Sequence, residues 1–159
     1  MFKKIIFVLI PILLFACLNN KQPTVDQYET APAFDSLLAK QLGADDYGMS
    51  TYFLAYLKAG PNRDHDSLTV NRLQREHLDN ITRLAEEGTL VLAGPFLDDG
   101  EVRGIYIFDV PTIEEAQKIA ESDPAVKAGR LILEIHPWYG SAALKQVNEI
   151  HNNIGKKGI

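Results

Sequence analysis

The chain has 159 residues, of which 46% are hydrophobic and 23% are charged, and its formal net charge is −5. This length and composition are typical of one globular domain. The acidic balance argues against nucleic-acid binding, which needs a basic surface, and the single cysteine excludes a disulfide framework or a cysteine-rich zinc site.

The N-terminus is typical of an export signal. A short basic start, with Lys3 and Lys4, precedes an apolar run over residues 5–15. As a helix this run spans about 16 Å, roughly half of a bilayer core, so it is too short to cross a membrane. It ends in Leu14-Phe15-Ala16-Cys17, which resembles the lipobox of bacterial lipoproteins, whose cysteine is acylated and becomes the first mature residue.

The expected protein is therefore a lipoprotein of the bacterial cell envelope, with residues 1–17 as its signal. Acyl chains on Cys17 would anchor it by burying CH₂ groups in the membrane. The alternative is ordinary secretion with an incidental cysteine. Residues 18–33 are polar and include Pro23 and Pro32, which predicts a flexible tether between lipid and domain.

Apolar and β-branched residues predict four strands, at residues 51–57, 89–93, 102–110 and 129–138. Gly94-Pro95 is expected to end the second strand, and Asp98-Asp99-Gly100 signals a hairpin turn. A leading helix is expected within residues 34–50, and two main helices at residues 67–87 and 112–122.

Capping residues mark the expected helix ends. Thr112 and Glu115 form a capping box, and the second main helix is expected to end near Asp123-Pro124. Ser141 is a candidate cap for a last helix in the C-terminal segment, residues 141–159. The whole order is β-α-β-β-α-β, which predicts a ferredoxin-like α+β fold with a four-stranded antiparallel sheet and both main helices on one face.

Three of the strands carry apolar residues at consecutive positions, whose side chains point to opposite faces of a sheet. Because two helices cover only one face, the other face would be an apolar patch of several hundred Å². A second copy of the chain, packed sheet to sheet, is the favoured cover. The alternative is that the C-terminal helix folds across this face.

Short motifs in this frame resemble the YciI-like (YCII-related) family of the dimeric α+β-barrel group. They are His77, Glu87-Gly88, Ala93-Gly94-Pro95, Asp123-Pro124 and Pro137-Trp138, and the resemblance covers about residues 51–140. It implies a ferredoxin-like homodimer with an active site centred on a histidine and an aspartate. It also implies relatives that act on oxidised aromatic ring products, among them a dehydrochlorinase and muconolactone-isomerase-like enzymes.

The topology places the loop of residues 60–66, Gly94-Pro95, the turn at residues 98–100 and Asp123 at one end of the sheet. His77 lies on the apolar stripe of its helix and faces the sheet. A pocket with an imidazole in its wall is therefore expected there. The candidate catalytic residues are His77 and Asp123, and the candidate ligand-binding residues are Arg63, Gly94, Pro95 and Asp98.

Each candidate also has a purely structural alternative. His77 would then be a core histidine bound to a backbone carbonyl, and Asp123-Pro124 would be a helix-ending turn. Asp98 and Asp99 favour turn formation over acid–base work. The loop Arg63-Asp64-His65-Asp66 is suited to an anion and only weakly to a metal.

Three classes of function remain open. The first is a small enzyme without metal or cofactor, of lyase, isomerase or dehydrohalogenase type, in which His77 moves a proton and Asp123 orients it. The second is a non-catalytic envelope module that binds a small ligand or a protein. The third is haem or metal ligation, since some dimeric α+β barrels bind haem.

Overall fold

A computed structural model describes residues 33–158, and the residues from Asp35 onward form one compact unit. The predicted signal with Cys17, and all but the last residue of the predicted tether, lie outside the described residues. Among residues 33–158, no helix is both long and apolar enough to cross a bilayer.

Four antiparallel strands form one sheet in the order β2-β3-β1-β4. They are β1 (Met49–Ala59), β2 (Leu90–Pro95), β3 (Val102–Phe108) and β4 (Leu131–Ser141). This is the ferredoxin-like order, so the predicted α+β fold class is confirmed. The two longest strands, β1 and β4, pair along their whole length, from Met49 opposite Ser141 to Ala59 opposite Leu131.

The described residues also form five α-helices: α1 (Ser36–Gln41), α2 (Ser67–Glu86), α3 (Ile113–Glu121), α4 (Pro124–Lys127) and α5 (Val147–Ile154). A 3-10 turn, Ala142–Gln146, precedes α5. The two main helices are capped at their N-termini by side chains. Asp66 accepts a hydrogen bond from the Thr69 amide, and Thr112 accepts one from the Glu115 amide. Gly88, with a φ of 76°, follows the end of α2.

Three details differ from the sequence prediction. Strand β2 continues through Gly94 and Pro95 instead of ending before them, because Pro95 lies on an edge strand opposite Gly104 and the next amide, that of Phe96, donates to the carbonyl oxygen of Arg103 at 2.9 Å. The short helix α4 begins where the second main helix was expected only to end, since Asp123 caps a new turn with Pro124 at its first position. Ser141 caps the 3-10 turn and not an α-helix.

The face of the sheet towards α2 and α3 holds the larger core. Its buried members on the strands include Ala55, Leu57, Tyr106 and Phe108, and those on the helices are Leu84, Ala116 and Ala120. The alanines of α3 let that helix approach the sheet closely. This side therefore matches the expected arrangement of two helices on one face.

The opposite face of the sheet, called here the second face, is covered in part by the C-terminal segment. Tyr52, Val91 and Ile107 are buried there, and Leu144 of the 3-10 turn packs against them. The Asn148 side chain donates to the carbonyl oxygen of Leu90 at 2.7 Å, which fixes α5 to β2. The C-terminal segment thus covers part of the second face, for which the sequence left two alternatives: a second copy of the chain or the C-terminal helix.

Along β4 the second face remains open. Ile132 and Trp138 are 46% and 36% exposed, and the polar residues Glu134 and His136 lie between them on the same face. Lys58 of β1 forms ion pairs with Glu134 and with Glu101. The consecutive hydrophobic residues of β4 predicted an apolar surface, but this part of the second face also carries charged and polar side chains.

Candidate functional site

Helix α2 places His77 against the sheet near the middle of its 20 residues. Leu73 and Leu84 on the same stripe are buried, whereas the His77 side chain keeps 13% of its surface exposed. The imidazole ring is stacked on the ring of Tyr106 in β3, with centroids 6.1 Å apart and planes 23° apart. The histidine therefore lies at the boundary between the core and an opening beside it.

Asp123 lies between α3 and α4 and is completely buried. Its Oδ1 accepts a hydrogen bond from the Ala125 amide at 2.8 Å, as an N-terminal cap does. The aspartate–proline pair is thus a helix-starting turn, and the same carboxylate also binds His77. The Asp123 carboxylate therefore caps α4, as the structural alternative predicted, and at the same time binds the candidate catalytic histidine.

The Nδ1 atom of His77 lies 2.9 Å from Oδ2 and 3.0 Å from Oδ1 of Asp123. Asn80, one turn further along α2, donates from Nδ2 to Oδ2 at 3.0 Å. The hydroxyl of Tyr106 donates to the same oxygen at 3.4 Å and lies 3.3 Å from Nδ1 of His77. Together with the Ala125 amide, four groups from α2, β3 and α4 therefore surround one carboxylate.

Burial alone would raise the pKa of Asp123, but hydrogen bonds from His77, Asn80 and the Ala125 amide outweigh it. The pKa of this carboxyl is held below its ordinary value, so Asp123 is ionised at neutral pH. Burial first, and then the charge of Asp123, raise the pKa of Tyr106, so its hydroxyl keeps its proton. An ionised carboxylate only accepts hydrogen bonds, and Nδ1 of His77 therefore carries a hydrogen.

The other ring nitrogen of His77, Nε2, is left for another partner. Within residues 33–158 no protein group forms a hydrogen bond with it. The residue lines a cavity of about 590 Å³ between α2, β2 and β3. A neutral imidazole with its hydrogen on Nδ1 presents a lone pair at Nε2, which is the form that accepts a proton.

The cavity wall is mainly apolar, with a few polar groups. Its apolar members are Leu57, Leu78, Ile81, Ala93, Pro95, Ile105, Ala125 and Leu131. Its polar members are Arg63, Gln74, His77, Arg103, Tyr106 and Arg130. Its size and its apolar wall with a few polar groups are typical of a small-molecule site.

The structure brings most of the predicted site residues to this cavity. His77, Arg63, Gly94 and Pro95 line it, and Asp123 lies directly behind His77. A Cβ atom at Gly94 would meet no protein atom within 4 Å, so packing does not require a glycine there. Asp98 is not part of the lining; it lies in the exposed loop between β2 and β3, where it accepts a hydrogen bond from the Gly100 amide.

Sequence reasoning missed four contributors to the site: Asn80, Arg103, Tyr106 and Arg130. Asn80 was within reach of a spacing argument, since it lies one turn after His77 on the same helix face. The ring of Tyr106 is buried, and its hydroxyl needs a polar partner that the sequence pattern does not identify. The two arginines follow turns whose geometry the sequence left open.

Metal ligands are not concentrated anywhere in the described part of the chain. Among residues 33–158, no three His, Cys, Asp or Glu side chains are grouped closely enough to hold a metal ion. The charged loop with Asp64, His65 and Asp66 therefore does not form such a group, and Asp66 instead caps α2.

Fold and site together define a small α+β protein with a buried histidine–aspartate pair beside a cavity. The YCII-related domain family matches residues 51–139, more than half of the chain, and the chain belongs to this family. The match spans all four strands and both main helices, and it includes His77 and Asp123.

Individual proteins are also similar to this chain. The uncharacterized protein YjpA of Bacillus subtilis (strain 168) is 36% identical over 62 residues, which is 39% of this chain and 71% of YjpA. Among solved structures, 5-chloro-2-hydroxyhydroquinone dehydrochlorinase of Burkholderia phenoliruptrix AC1100, in complex with 2,5-dihydroxybenzoquinone, is 25% identical with a TM-score of 0.43. That alignment covers 55% of this chain and 92% of the dehydrochlorinase.

Proposed function

We propose that the protein is a small-molecule enzyme of lyase, isomerase or dehydrohalogenase type that uses His77 and Asp123 as an acid–base pair. One observation carries this proposal: Asp123 holds Nδ1 of His77 at 2.9 Å while the same ring lines the cavity. The pair thus fixes the ring and its hydrogen on one side and leaves a proton acceptor on the other.

The chemistry that suits this arrangement is proton abstraction from carbon. Nε2 of His77 would take a proton from a carbon next to a carbonyl group, and the electrons of the broken C–H bond would move to the carbonyl oxygen as an enolate. In an isomerisation the same nitrogen returns the proton at another atom. In an elimination the electrons instead expel an anion, such as chloride, from the adjacent carbon. Asp123 stabilises the imidazolium formed in either case.

The direct test is the replacement His77→Gln in the full chain. Wild-type protein and variant would be assayed by NMR in D₂O on a panel of cyclic enols, ketones and lactones, following deuterium incorporation and product formation. We expect turnover by the wild type and a loss of about 10²–10⁴-fold in the variant, the usual contribution of a general base. Undiminished turnover by His77→Gln would remove the proposal.

A matched control is available on α5. His151 is exposed and has no part in the cavity, so His151→Gln makes the same chemical change elsewhere. Its turnover should equal that of the wild type. Asp123→Asn should also lose activity, because an amide binds the ring less strongly and offers no charge to stabilise the imidazolium.

A non-catalytic envelope module that binds a small ligand is the alternative. The apolar wall of the cavity favours it, since such a wall binds a ligand without any chemical step. The two functions differ in the fate of the ligand. A compound that raises the melting temperature of wild type and His77→Asn equally, and that is recovered unchanged, would favour the binding module over the enzyme.

The proposal includes a homodimer that packs through the open part of the second face. Ile132 and Trp138 are exposed there, and Leu54 and Tyr56 beside them are half-buried. Light scattering should give twice the mass of one chain. Ile132→Lys should return the protein to monomers, whereas Ile154→Lys, on the exposed end of α5, should not. A wild-type protein that stays monomeric at high concentration would exclude this dimer.

The proposal also places the protein on the bacterial cell envelope through acylated Cys17. The lipobox-like residues 14–17, after a short apolar run, support this. Labelled palmitate should be incorporated into the wild type but not into Cys17→Ser, and the variant should leave the membrane fraction. Unlabelled wild type would show that the cysteine is incidental.

A further inference from the structure

We infer that the cavity selects a small molecule with an apolar body and an anionic group, and that Arg63, Arg103 and Arg130 bind the anionic group. The inference deepens the proposed function, because it names the substrate class for the cavity that His77 faces. The three arginines come from three different places in the chain. Arg63 precedes α2, Arg103 belongs to β3, and Arg130 precedes β4.

The guanidinium groups of Arg63 and Arg130 are available to a ligand. Within residues 33–158 neither group forms an ion pair or a hydrogen bond with the protein. Arg103 lies 3.8 Å from Asp99, whose side chain is fully exposed, so this contact is long and weak. Most other arginines of the described chain are paired along α2, such as Arg72 with Glu76.

Three cations around one cavity are unusual in a chain whose net charge is −5. Each guanidinium group would attract an anion in the cavity. Guanidinium groups bind carboxylates through two parallel hydrogen bonds, which also fixes the orientation of the ligand. The arginines therefore indicate the charge of the ligand.

The rest of the wall indicates the body of the ligand. Leu78, Ile81, Ala93 and Leu131 provide apolar surface for the body of the ligand, and the ring of Tyr106 lies beside the imidazole. A cavity of about 590 Å³ is within the size range of small-molecule sites. A ligand anchored by its anionic group at the arginines would lie in the same cavity as His77.

The test uses 4-hydroxybenzoate and its neutral amide, 4-hydroxybenzamide, as probes of the full chain by isothermal titration. The two differ in charge and hardly in shape. We expect the carboxylate to bind about tenfold more tightly at low salt, with this preference declining as salt is added. The triple variant Arg63→Gln, Arg103→Gln, Arg130→Gln should bind the two compounds alike, whereas Arg72→Gln, the same change outside the cavity, should keep the preference.

The His77→Gln variant separates this inference from the proposed function. If it loses turnover but keeps the preference for the carboxylate, both stand. If it keeps turnover and the preference, the acid–base function fails and the anion selectivity stands. Equal binding of both probes by the wild type, no binding of either, or a preference that survives removal of all three arginines would overturn the inference.

Discussion

The two faces of the sheet differ in what covers them. On the helix side, α2 and α3 pack on Ala55, Leu57 and Phe108 and leave a cavity at one end, where a buried carboxylate is completely hydrogen-bonded. On the second face, a short C-terminal segment covers one part, and the open part along β4 carries both apolar and polar residues. Apolar side chains on the strands bury both faces of the sheet, but a candidate site forms only on the helix side, where buried polar groups meet.

The largest expected effect is on the helix side. Asp123→Ala removes the acceptor of His77, Asn80, the Ala125 amide and Tyr106. Leaving these donors buried without a partner should lower the free energy of unfolding by about 3–5 kcal/mol. Urea denaturation measures this loss. The exposed control Asp46→Ala should change stability by less than about 0.5 kcal/mol. Equal losses in both would show that the pair adds nothing to the fold.

Acid should reveal the same carboxylate. The pKa of Asp123 is lowered in the folded protein, so its stabilisation is fully present above its ordinary pKa, near 3.9. That stabilisation is lost as the pH falls through the lower pKa of the folded state. The difference in stability between wild type and Asp123→Asn should therefore shrink below about pH 4. A difference that stays constant down to pH 2 would contradict the lowered pKa.

A smaller effect is expected from Tyr106→Phe, which removes one hydroxyl from the site. We expect a loss of about 1 kcal/mol near neutral pH, the usual value of one hydrogen bond. The pKa of Tyr106 is raised by burial, so its stabilisation is present below pH 10 and lost above it. The variant should therefore lose less stability than the wild type between about pH 9 and 11, measured by denaturant titration.

The smallest effect is expected on the second face. Asn148→Ala removes the hydrogen bond to the carbonyl of Leu90, and α5 is otherwise exposed along much of its length. We expect a loss of about 0.5–1 kcal/mol and faster amide exchange in α5 and the 3-10 turn, with β1 unchanged. Faster exchange throughout the sheet would instead show that the C-terminal segment is part of the main core.

The sequence predicted the fold well because its signals are local. Apolar periodicity, the caps Asp66 and Thr112, and Gly88 after α2 each act within one or two turns of chain. His77 and Asp123 were predicted together from topology and from the family resemblance. What brings them within 2.9 Å is the start of α4, a turn of four residues that the sequence pattern did not distinguish from a helix end.

The rest of the site depends on contacts between distant residues. Tyr106 lies 17 residues from Asp123 and 29 from His77, and no periodicity indicates where its hydroxyl points. Arg103 and Arg130 reach the cavity only because β3 and β4 are positioned by their pairing with β1. The coverage of the second face was likewise open, since Leu144 and Asn148 act through packing on β2 and β3.

The most direct measurement is the position of the hydrogen on the neutral ring of His77, read by long-range ¹H–¹⁵N NMR of the full chain. The account predicts that Nδ1 carries the hydrogen, held by Asp123, and that Nε2 is the acceptor facing the cavity. Asp123→Asn should weaken this preference. A wild-type ring with its hydrogen on Nε2 would contradict the account, because the cavity would then meet a donor in place of a base.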